Sequence, residues 1–310
     1  MSHTSIRIGT RGSPLAMAQA RDVQARLARA HNMDLADLPI IEIVTSGDRF
    51  QDQPLTELGG KGLFTKEIES ALYDNRIDVA VHSMKDLETE LPNALCLSAV
   101  LERADVRDAF ISHKYKTLNH MPTGSVIGTS SVRRRAQLKF VRPDLKIVEF
   151  RGNVGTRLRK LEEGIADATF LACAGLCRLG RNDLLNAPIE TSDMLPAIAQ
   201  GAIALQIRES DTTAFNYTSD LNDLTSALCT TAERAFLAQL NGSCKTPIAG
   251  LAKISSSTLN FHGQILARNG SQCFNVRRSG AAEDAFLIGR EAGLQLLEQC
   301  GSILLNEEKL

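Results

Sequence analysis

Hydrophobic and polar positions along the first two thirds of the chain fall into two alternating patterns. Short runs of β-branched and aliphatic residues predict strands, and each is followed by a longer stretch in which apolar residues recur with helical spacing. The alternation occurs twice, so we expect two similar lobes with mainly parallel sheets. The predicted strands are residues 5–10, 40–46, 78–83, 126–128, 146–150 and 168–172, and the predicted helices are 13–31, 63–75, 131–141, 154–164 and 174–179.

Other segments link these units. Residues 95–101 and 108–112 look extended and are interpreted as crossover segments between the lobes, and 200–208 is expected to return the chain to the first lobe. Residues 47–60 are polar and irregular. An irregular stretch of this length is usually disordered or a functional lid, and we interpret it as a lid.

The pattern changes after residue 220. A helical stretch at 221–240 precedes alternating segments at 248–254, 258–266 and 273–277, and a helix at 281–299 follows. Asn269-Gly270 lies between the last two segments and is a strong hairpin signal. The chain is therefore predicted to be α/β, with a first lobe (1–102 and 202–220), a second lobe (103–201) and a small α+β domain with a three-stranded antiparallel sheet (221–310).

Composition excludes several classes of protein. The 310 residues are 43% apolar, but no run of about 18 apolar residues exists, so no membrane span is expected. The start of the chain carries no apolar signal region, and we expect a cytoplasmic protein. Seven scattered cysteines without a Cys-x-x-Cys pair argue against a disulfide framework and against a metal site. The net charge of −1 and the lack of aromatic residues among the arginines disfavour nucleic acid.

The strand at 78–83 is followed within a few residues by groups that can do chemistry. Ser83, Lys85 and Asp86 bring a hydroxyl, an ammonium and a carboxylate to a loop at the end of a rigid strand, where α/β proteins usually place their reacting groups. The alternative is that Asp86 only caps a turn. The local sequence does not decide between these two interpretations.

Several strand-to-helix junctions combine hydroxyl residues with arginines. Free backbone N–H groups at a helix start bind anions, and arginine grips carboxylates with two hydrogen bonds. Three consecutive arginines cannot line one surface of a helix, so we expect Arg133 and Arg134 to reach the cleft and Arg135 to be solvated. The pattern predicts a cleft for a ligand with many carboxylates or phosphates. The junctions are residues 10–13 with Arg11, 129–131 with Arg133 and Arg134, and 152–156 with Arg151 and Arg157, and Arg178 follows a further strand.

Two glycine-rich stretches and one cysteine raise the possibility of nucleotide binding or of a reactive thiol. Residues 59–62 (GGKG) fail the Walker pattern and 9–12 (GTRG) fail the dinucleotide pattern, so ATP and NAD are not expected. Cys244 lies beside Lys245, which favours a reactive thiolate, although a lone cysteine is by default inert and buried.

These stretches together resemble the porphobilinogen deaminase (hydroxymethylbilane synthase) family over nearly the whole chain. The matching motifs are RIGTRGSPLA at 7–16, GGKGLF at 59–64, VHSMKD at 81–86, GTSSVRR at 128–134, RGNVGTRL at 151–158, QGA at 200–202, and Cys244. The family usually has Pro where Glu88 stands, Gly where Ser243 stands and Glu where Gln206 stands. None of these departures removes a reacting group, so they put local loop geometry in question rather than activity.

The resemblance implies a monomeric enzyme that joins four porphobilinogen molecules head to tail and releases ammonia at each step. It implies two lobes like those of periplasmic binding proteins and a third domain that carries a dipyrromethane cofactor on Cys244. It implies that Asp86 is the catalytic carboxylate. The residues expected to bind the cofactor and substrate carboxylates are Arg11, Ser13, Lys61, Phe64, Ser83, Lys85, Thr129, Ser130, Ser131, Arg133, Arg134, Arg151, Gly152, Arg157, Arg178 and Gln200.

The residues agree with that chemistry. Porphobilinogen carries an acetate and a propionate, so the growing chain is a polyanion that suits arginine-lined helix starts. Loss of ammonia leaves an azafulvene with positive charge on the pyrrole nitrogen, which a nearby carboxylate can stabilise. A rival interpretation is a non-catalytic two-lobed binding protein for an anionic solute, in which Cys244 would carry no group.

Overall fold

The computed structural model describes residues 5–49, 64–243 and 246–300. The chain divides into two compact units. Unit 1 comprises Met1–Ala104, Arg178–Gly180 and Gly201–Ala227, and unit 2 comprises Asp105–Cys177, Arg181–Gln200 and Leu228–Leu310.

The secondary structure of the described residues follows the predicted order of strands and helices. The strands are β1 Ile8–Arg11, β2 Ile40–Ile43, β3 Val79–Ser83, β4 Leu95–Val100, β5 Asp108–Ile111, β6 Val126–Gly128, β7 Lys146–Val148, β8 Ala168–Ala172, β9 Ile203–Arg208, β10 Ile248–Ser255, β11 Thr258–Leu266 and β12 Cys273–Ala281. The helices are α1 Pro14–His31, α2 Ser46–Arg49, α3 Lys66–Tyr73, α4 Val132–Val141, α5 Val154–Glu162, α6 Cys173–Arg178, α7 Thr212–Ser219, α8 Leu224–Gln239 and α9 Ala285–Cys300.

Unit 1 is built on a mixed five-stranded sheet in the order β2-β1-β3-β9-β4. The predicted βαβ units give the parallel pairs of β1 with β2 and β3, whereas β9 runs antiparallel to β3 and β4. Residues 95–101 are therefore mainly an edge strand and not only a crossover segment. The parallel arrangement of β1 and β3 brings Arg11 and Ser83 to the same edge of the sheet, because the carboxyl ends of parallel strands lie together.

Helix α1 begins where the sequence predicts it. The Ser13 hydroxyl accepts a hydrogen bond from the Ala16 N–H, and Pro14 occupies the first helical position. The helix ends at Asn32, whose backbone is left-handed. Its apolar face, which includes Val23 and Leu27, is buried with β1 and β3 in the core of unit 1.

The second sheet lies in unit 2 and has four strands in the order β5-β8-β6-β7. The pairs of β6 with β7 and β8 are parallel, as expected from two successive strand–helix units, and β5 pairs antiparallel with β8. Phe150, Phe170 and Ile127 are fully buried around this sheet. The antiparallel position of β5 matters for the site, because it buries Asp108 at its first residue.

The remainder of unit 2 contains a three-stranded antiparallel sheet in the order β10-β11-β12. The hairpin predicted at Asn269-Gly270 joins β11 to β12. Phe236 of α8 packs on Phe261 of β11 with ring centroids 4.9 Å apart, which fixes the helix on the sheet. The fold class is therefore confirmed: α/β with two mixed sheets and a small antiparallel sheet after them.

Three properties of the described part of the chain concern membrane spans, metal ions and cysteines. No described helix has both the length and the apolar character needed to cross a bilayer. No group of three or more His, Cys, Asp or Glu residues that could hold a metal ion occurs among the described residues. No disulfide joins any two of the described cysteines, namely Cys96, Cys173, Cys177, Cys229, Cys273 and Cys300.

Candidate active site

A cavity opens at the carboxyl edge of the unit 1 sheet, and Asp86 lies on its wall. Most of the residues that the sequence assigned to this edge line it together. The lining includes Arg11, Ser13, Phe64, Ser83 and Asp86, with Gln19 and His82 beside them. Lys85 follows on the same loop but is exposed and is not one of the described lining residues.

Asp86 is presented by a turn that is anchored on both sides. After β3 the chain forms one turn of 3₁₀-helix at Met84–Asp86, and the Met84 N–H donates to the Ala202 carbonyl over 3.0 Å. Met84 and Leu87 are buried, so the exposed Asp86 between them is fixed by its neighbours. Within the described residues its carboxylate accepts no hydrogen bond, and this argues against the interpretation of Asp86 as a turn cap.

Arg11 lies at the end of β1, and its guanidinium stacks on the Phe64 ring, 4.1 Å from the ring centroid. Stacking on the aromatic ring orients the planar guanidinium, whose N–H groups lie in its plane and suit the oxygens of an anion. The first turn of α1 begins beside it at Ser13. This part of the cavity combines an arginine with the positive end of an eighteen-residue helix.

Two polar residues of the cavity were not assigned from the sequence. Gln19, buried on α1, donates from Nε2 to Ser83 Oγ over 2.8 Å. His82 is buried on β3, and its Nε2 pairs with Gln206 Oε1 over 3.0 Å. Burial lowers the pKa of His82 to about 4, and the neighbouring Arg11 acts in the same direction, so the imidazole is neutral near pH 7.

In unit 2 the two arginines at the start of α4 are buried. Arg133 and Arg134 each donate from Nη2 to one oxygen of Asp108 over 2.7 Å. Their Nη1 groups donate to the Leu195 and Phe170 carbonyls. Each side chain therefore uses two of its three guanidinium nitrogens inside the fold, and the expectation that both reach the cleft stays a prediction. Arg135 lies at the surface and pairs with Glu149.

Arg133, Arg134, Arg151 and Arg157 form an arginine cluster, and some of its guanidinium nitrogens have no described hydrogen-bond acceptor. Arg133 Nε, Arg134 Nε and Arg151 Nη1 are buried and have no hydrogen-bond partner among the residues that the structure describes. Burial lowers the pKa of Arg157 to about 10, and repulsion from Arg134 and Arg151 adds to the effect. A buried N–H without an acceptor is costly, so this excess of positive charge indicates an anion site.

The hydroxyls at the junction between β6 and α4 hold the backbone in place. Thr129 Oγ1 accepts from the Ser131 N–H, Ser130 Oγ from the Phe150 N–H, and Ser131 Oγ caps α4. A hydroxyl that accepts still has its own hydrogen to donate. Gly152 has φ of +115°, and a Cβ there would lie 2.5 Å from the Thr156 side chain, so the start of α5 requires glycine.

The other assigned residues are placed as follows. Gln200 is buried, and its Nε2 donates to the Val106 carbonyl and to Asp108 Oδ1. Arg178 donates to the Gly201 carbonyl over 2.6 Å. Lys61 and Cys244 lie outside the described residues, as do the stretch 59–62 and most of the expected lid at 47–60.

Comparisons with known proteins point to one family. The profile described as "Porphobilinogen deaminase, dipyromethane cofactor binding domain" matches residues 6–216, and "Porphobilinogen deaminase, C-terminal domain" matches 227–298. A porphobilinogen deaminase of Paracoccus denitrificans is 51% identical over 94% of this chain and 93% of its own. The porphobilinogen deaminase of Nitrobacter hamburgensis is 50% identical over 95% of this chain and 93% of its own.

Solved structures with a similar fold have low sequence identity. The methionine-binding protein MetQ covers 71% of this chain and 90% of its own length, with 12% identity and a TM-score of 0.46. A periplasmic substrate-binding protein of an ABC transporter from Coxiella burnetii covers 74% of this chain and 96% of its own, with 16% identity and a TM-score of 0.43.

Proposed function

This chain belongs to the porphobilinogen deaminase family, and we propose that Asp86 is the catalytic carboxylate beside which porphobilinogen units are joined to one another. The activity is that of a hydroxymethylbilane synthase, a transferase of tetrapyrrole biosynthesis that condenses four porphobilinogen molecules and releases ammonia. The predicted family is confirmed. The observation that carries the proposed role is the Asp86 carboxylate, which is fixed in a cavity without a donor among its described neighbours.

The arginine cluster of unit 2 suits the carboxylates of the cofactor. The family profile that matches most of the chain is named for the dipyrromethane cofactor, which agrees with the cofactor expected from the sequence. Arg133 Nε, Arg134 Nε and Arg151 Nη1 are buried donors without described acceptors, and a carboxylate-rich group would satisfy them. When bound, dipyrromethane supplies a tethered pyrrole to which the first substrate is joined.

We propose that Cys244 holds this cofactor through a thioether. The residue lies outside the described part of the chain, so the proposal rests on its motif and on the family. The hydroxyls of Thr129, Ser130 and Ser131 each accept a backbone hydrogen bond and keep a hydrogen to donate, which supports a role in binding carboxylate oxygens beside the first turn of α4. The other residues assigned to carboxylate binding remain proposals, namely Arg11, Ser13, Lys61, Phe64, Ser83, Lys85, Gly152, Arg157, Arg178 and Gln200.

Among the described residues that line the unit 1 cavity, Asp86 is the one negative group beside neutral and positive ones. The Asp86 carboxylate can accept the substrate pyrrole N–H and stabilise the positive charge that develops when ammonia leaves. His82 is neutral and does not oppose that charge. Arg11 can hold a substrate acetate or propionate at the edge of the cavity.

Asp86→Asn tests the proposed role. The variant keeps the shape of the side chain and its acceptor oxygen but loses the charge, so turnover is expected to fall by about 10²-fold or more while the protein stays folded. Porphobilinogen consumption and ammonia release measure it. Glu90→Gln is the matched control, since it neutralises an exposed carboxylate four residues further along and should leave the rate unchanged. A near-normal rate for Asp86→Asn would remove the assignment.

Three further proposals concern domains, compartment and oligomeric state. We propose that residues 1–102 with 202–220, residues 103–201 and residues 221–310 form separate domains, which the separate sheets support. We also propose that the enzyme acts in the cytoplasm, which the lack of disulfides among the described cysteines supports, and that it acts as a monomer. Light scattering on the purified chain and fractionation of the source cells test these last two proposals.

A further inference from the structure

Asp108 is a buried carboxylate that no sequence motif assigns to a role. It is the first residue of β5, and its side chain has no exposed surface. Oδ2 accepts from Arg133 and Oδ1 from Arg134, each over 2.7 Å. Gln200 donates to Oδ1 over 3.0 Å. One carboxylate therefore organises two arginines from adjacent positions on the same helix.

The contacts fix the direction of both guanidiniums. Arg133 is held at Nη2 by Asp108 and at Nη1 by the Leu195 carbonyl, and Arg134 is held at Nη1 by the Phe170 carbonyl. A guanidinium is rigid and planar, so two fixed corners determine where the third N–H points. In both residues that third group is Nε–H, which has no acceptor within the described part of the chain.

The charges around Asp108 do not balance. Arg133, Arg134, Arg151 and Arg157 form a partly or wholly buried group of cations, and Asp108 is the acid that pairs with two of them. Burial opposes ionisation of Asp108, but the two guanidiniums outweigh it and hold its pKa well below the usual range. The carboxylate is thus charged under all working conditions, and it leaves an excess of positive charge for an external anion.

We propose that Asp108, supported by Gln200, is a positioning residue that directs the Nε–H groups of Arg133 and Arg134 toward ligand carboxylates. The inference rests on the proposed function, in which this cluster binds the carboxylates of cofactor and substrate. In this role Asp108 touches neither ligand. It acts by holding two arginines in one orientation and by offsetting enough of their charge for them to be buried together.

The test compares Asp108→Asn with Asp167→Asn in the full-length enzyme. Asn offers one acceptor oxygen in place of two, so one arginine is released. We expect the KM for porphobilinogen to rise at least about tenfold, as for loss of a charged hydrogen bond, with a smaller change in kcat. The share of chains that carry the two-pyrrole mass increment should fall as well, which is a readout independent of turnover.

Asp167 is the matched control because it lies in the same unit and also pairs with a cation. It accepts from Lys114 Nζ over 2.6 Å and from the Val126 N–H over 2.8 Å, and neither partner belongs to the group of arginines around Asp108. Asp167→Asn should lower the melting temperature but leave KM and the mass increment unchanged. A folded Asp108→Asn enzyme that behaves in the same way would overturn the proposal, since Asp108 would then be only structural.

A second variant keeps the proposal testable if the Asp108→Asn protein does not fold. Gln200→Met removes the third donor to Asp108 but keeps both ion pairs, and we expect KM to rise about threefold or more. An unchanged KM with a lowered melting temperature would overturn the proposal. The parent enzyme is measured alongside the variants. If the parent itself showed no turnover and no mass increment, the proposed function would be contradicted, and not only the role of Asp108.

Discussion

Gln19 Nε2 lies 2.8 Å from Ser83 Oγ, and this hydrogen bond ties helix α1 to the end of the strand that carries Asp86. Both residues line the unit 1 cavity. Gln19 has only 2% of its surface exposed, so its amide is held in place by packing as well as by the hydroxyl. The bond therefore sets the position of the loop at 84–86 relative to the arginine at the end of β1.

Gln19→Ala should lower kcat/KM by about tenfold, because the loss of a buried hydrogen bond frees Ser83 and loosens the loop that presents Asp86. Steady-state kinetics measure the effect. Gln24→Ala is the control on the same helix. Gln24 Nε2 donates to the Leu38 carbonyl over 2.8 Å, and this hydrogen bond lies away from the cavity. Equal kinetics for the two variants would show that the Gln19 contact has no part in the reaction.

His82 gives the stability of the protein a specific dependence on pH. Its pKa is about 4 in the folded chain because burial disfavours the charged form, whereas an unfolded histidine titrates near pH 6.5. Between these values the unfolded state binds more protons, so the contribution of His82 to stability falls as the pH falls below about 6.5. The loss between pH 7.5 and pH 5 is about 2 kcal/mol.

His82→Gln removes this group and tests the effect. Urea denaturation at both pH values should show that the variant loses about 2 kcal/mol less than the parent on acidification. The readout is the change in the free energy of unfolding between the two pH values, compared between variant and parent. A general loss of stability in the variant does not affect this comparison. His120→Gln, at an exposed position, is the control and should keep the parent's slope. Parallel slopes for His82→Gln and the parent would contradict a buried neutral imidazole.

Helix α9 packs closely on α8 at Gly289. A Cβ at Gly289 would lie 2.0 Å from the Ala232 carbonyl oxygen, which belongs to the backbone and cannot move aside. Gly289→Ala should therefore destabilise the protein by about 2–3 kcal/mol, as other overpacking changes do. In the control, Gly280→Ala, the new methyl would meet Ile288 Cδ1 at 3.0 Å, the end of a flexible side chain, and should cost less. Thermal denaturation that ranks the two variants in the reverse order would be inconsistent with this contact.

Local patterns in the sequence predicted most strands and helices because period, caps and turn residues are local properties. The start of α1 at Ser13-Pro14 and the hairpin at Asn269-Gly270 are examples. Residues 95–101 and 108–112 were correctly taken as extended, but their places at sheet edges depend on antiparallel partners that are distant in the sequence. Helix α7 was missed, since its β-branched and aromatic residues have low helix propensity.

The candidate site divides in the same way. Asp86 and Arg11 were found because they lie at or within a few residues of the ends of buried strands. The burial of Arg133 and Arg134 was not foreseen, because it depends on Asp108, which in the sequence is only an acid before an apolar segment. Gln19 and His82 lie within regular elements and carry no local signal of function. A buried polar residue whose partner is distant in sequence is found only when the fold brings the two together.

The central claim is that this chain builds tetrapyrroles on a cofactor that it carries covalently at Cys244, with Asp86 as the acting carboxylate. Intact mass spectrometry of the purified, active enzyme tests it most directly. We predict a mass above that of the sequence by one two-pyrrole unit, and we predict that Cys244→Ala abolishes both the increment and turnover. An active preparation with the mass of the bare chain, or an increment that survives Cys244→Ala, would contradict the account.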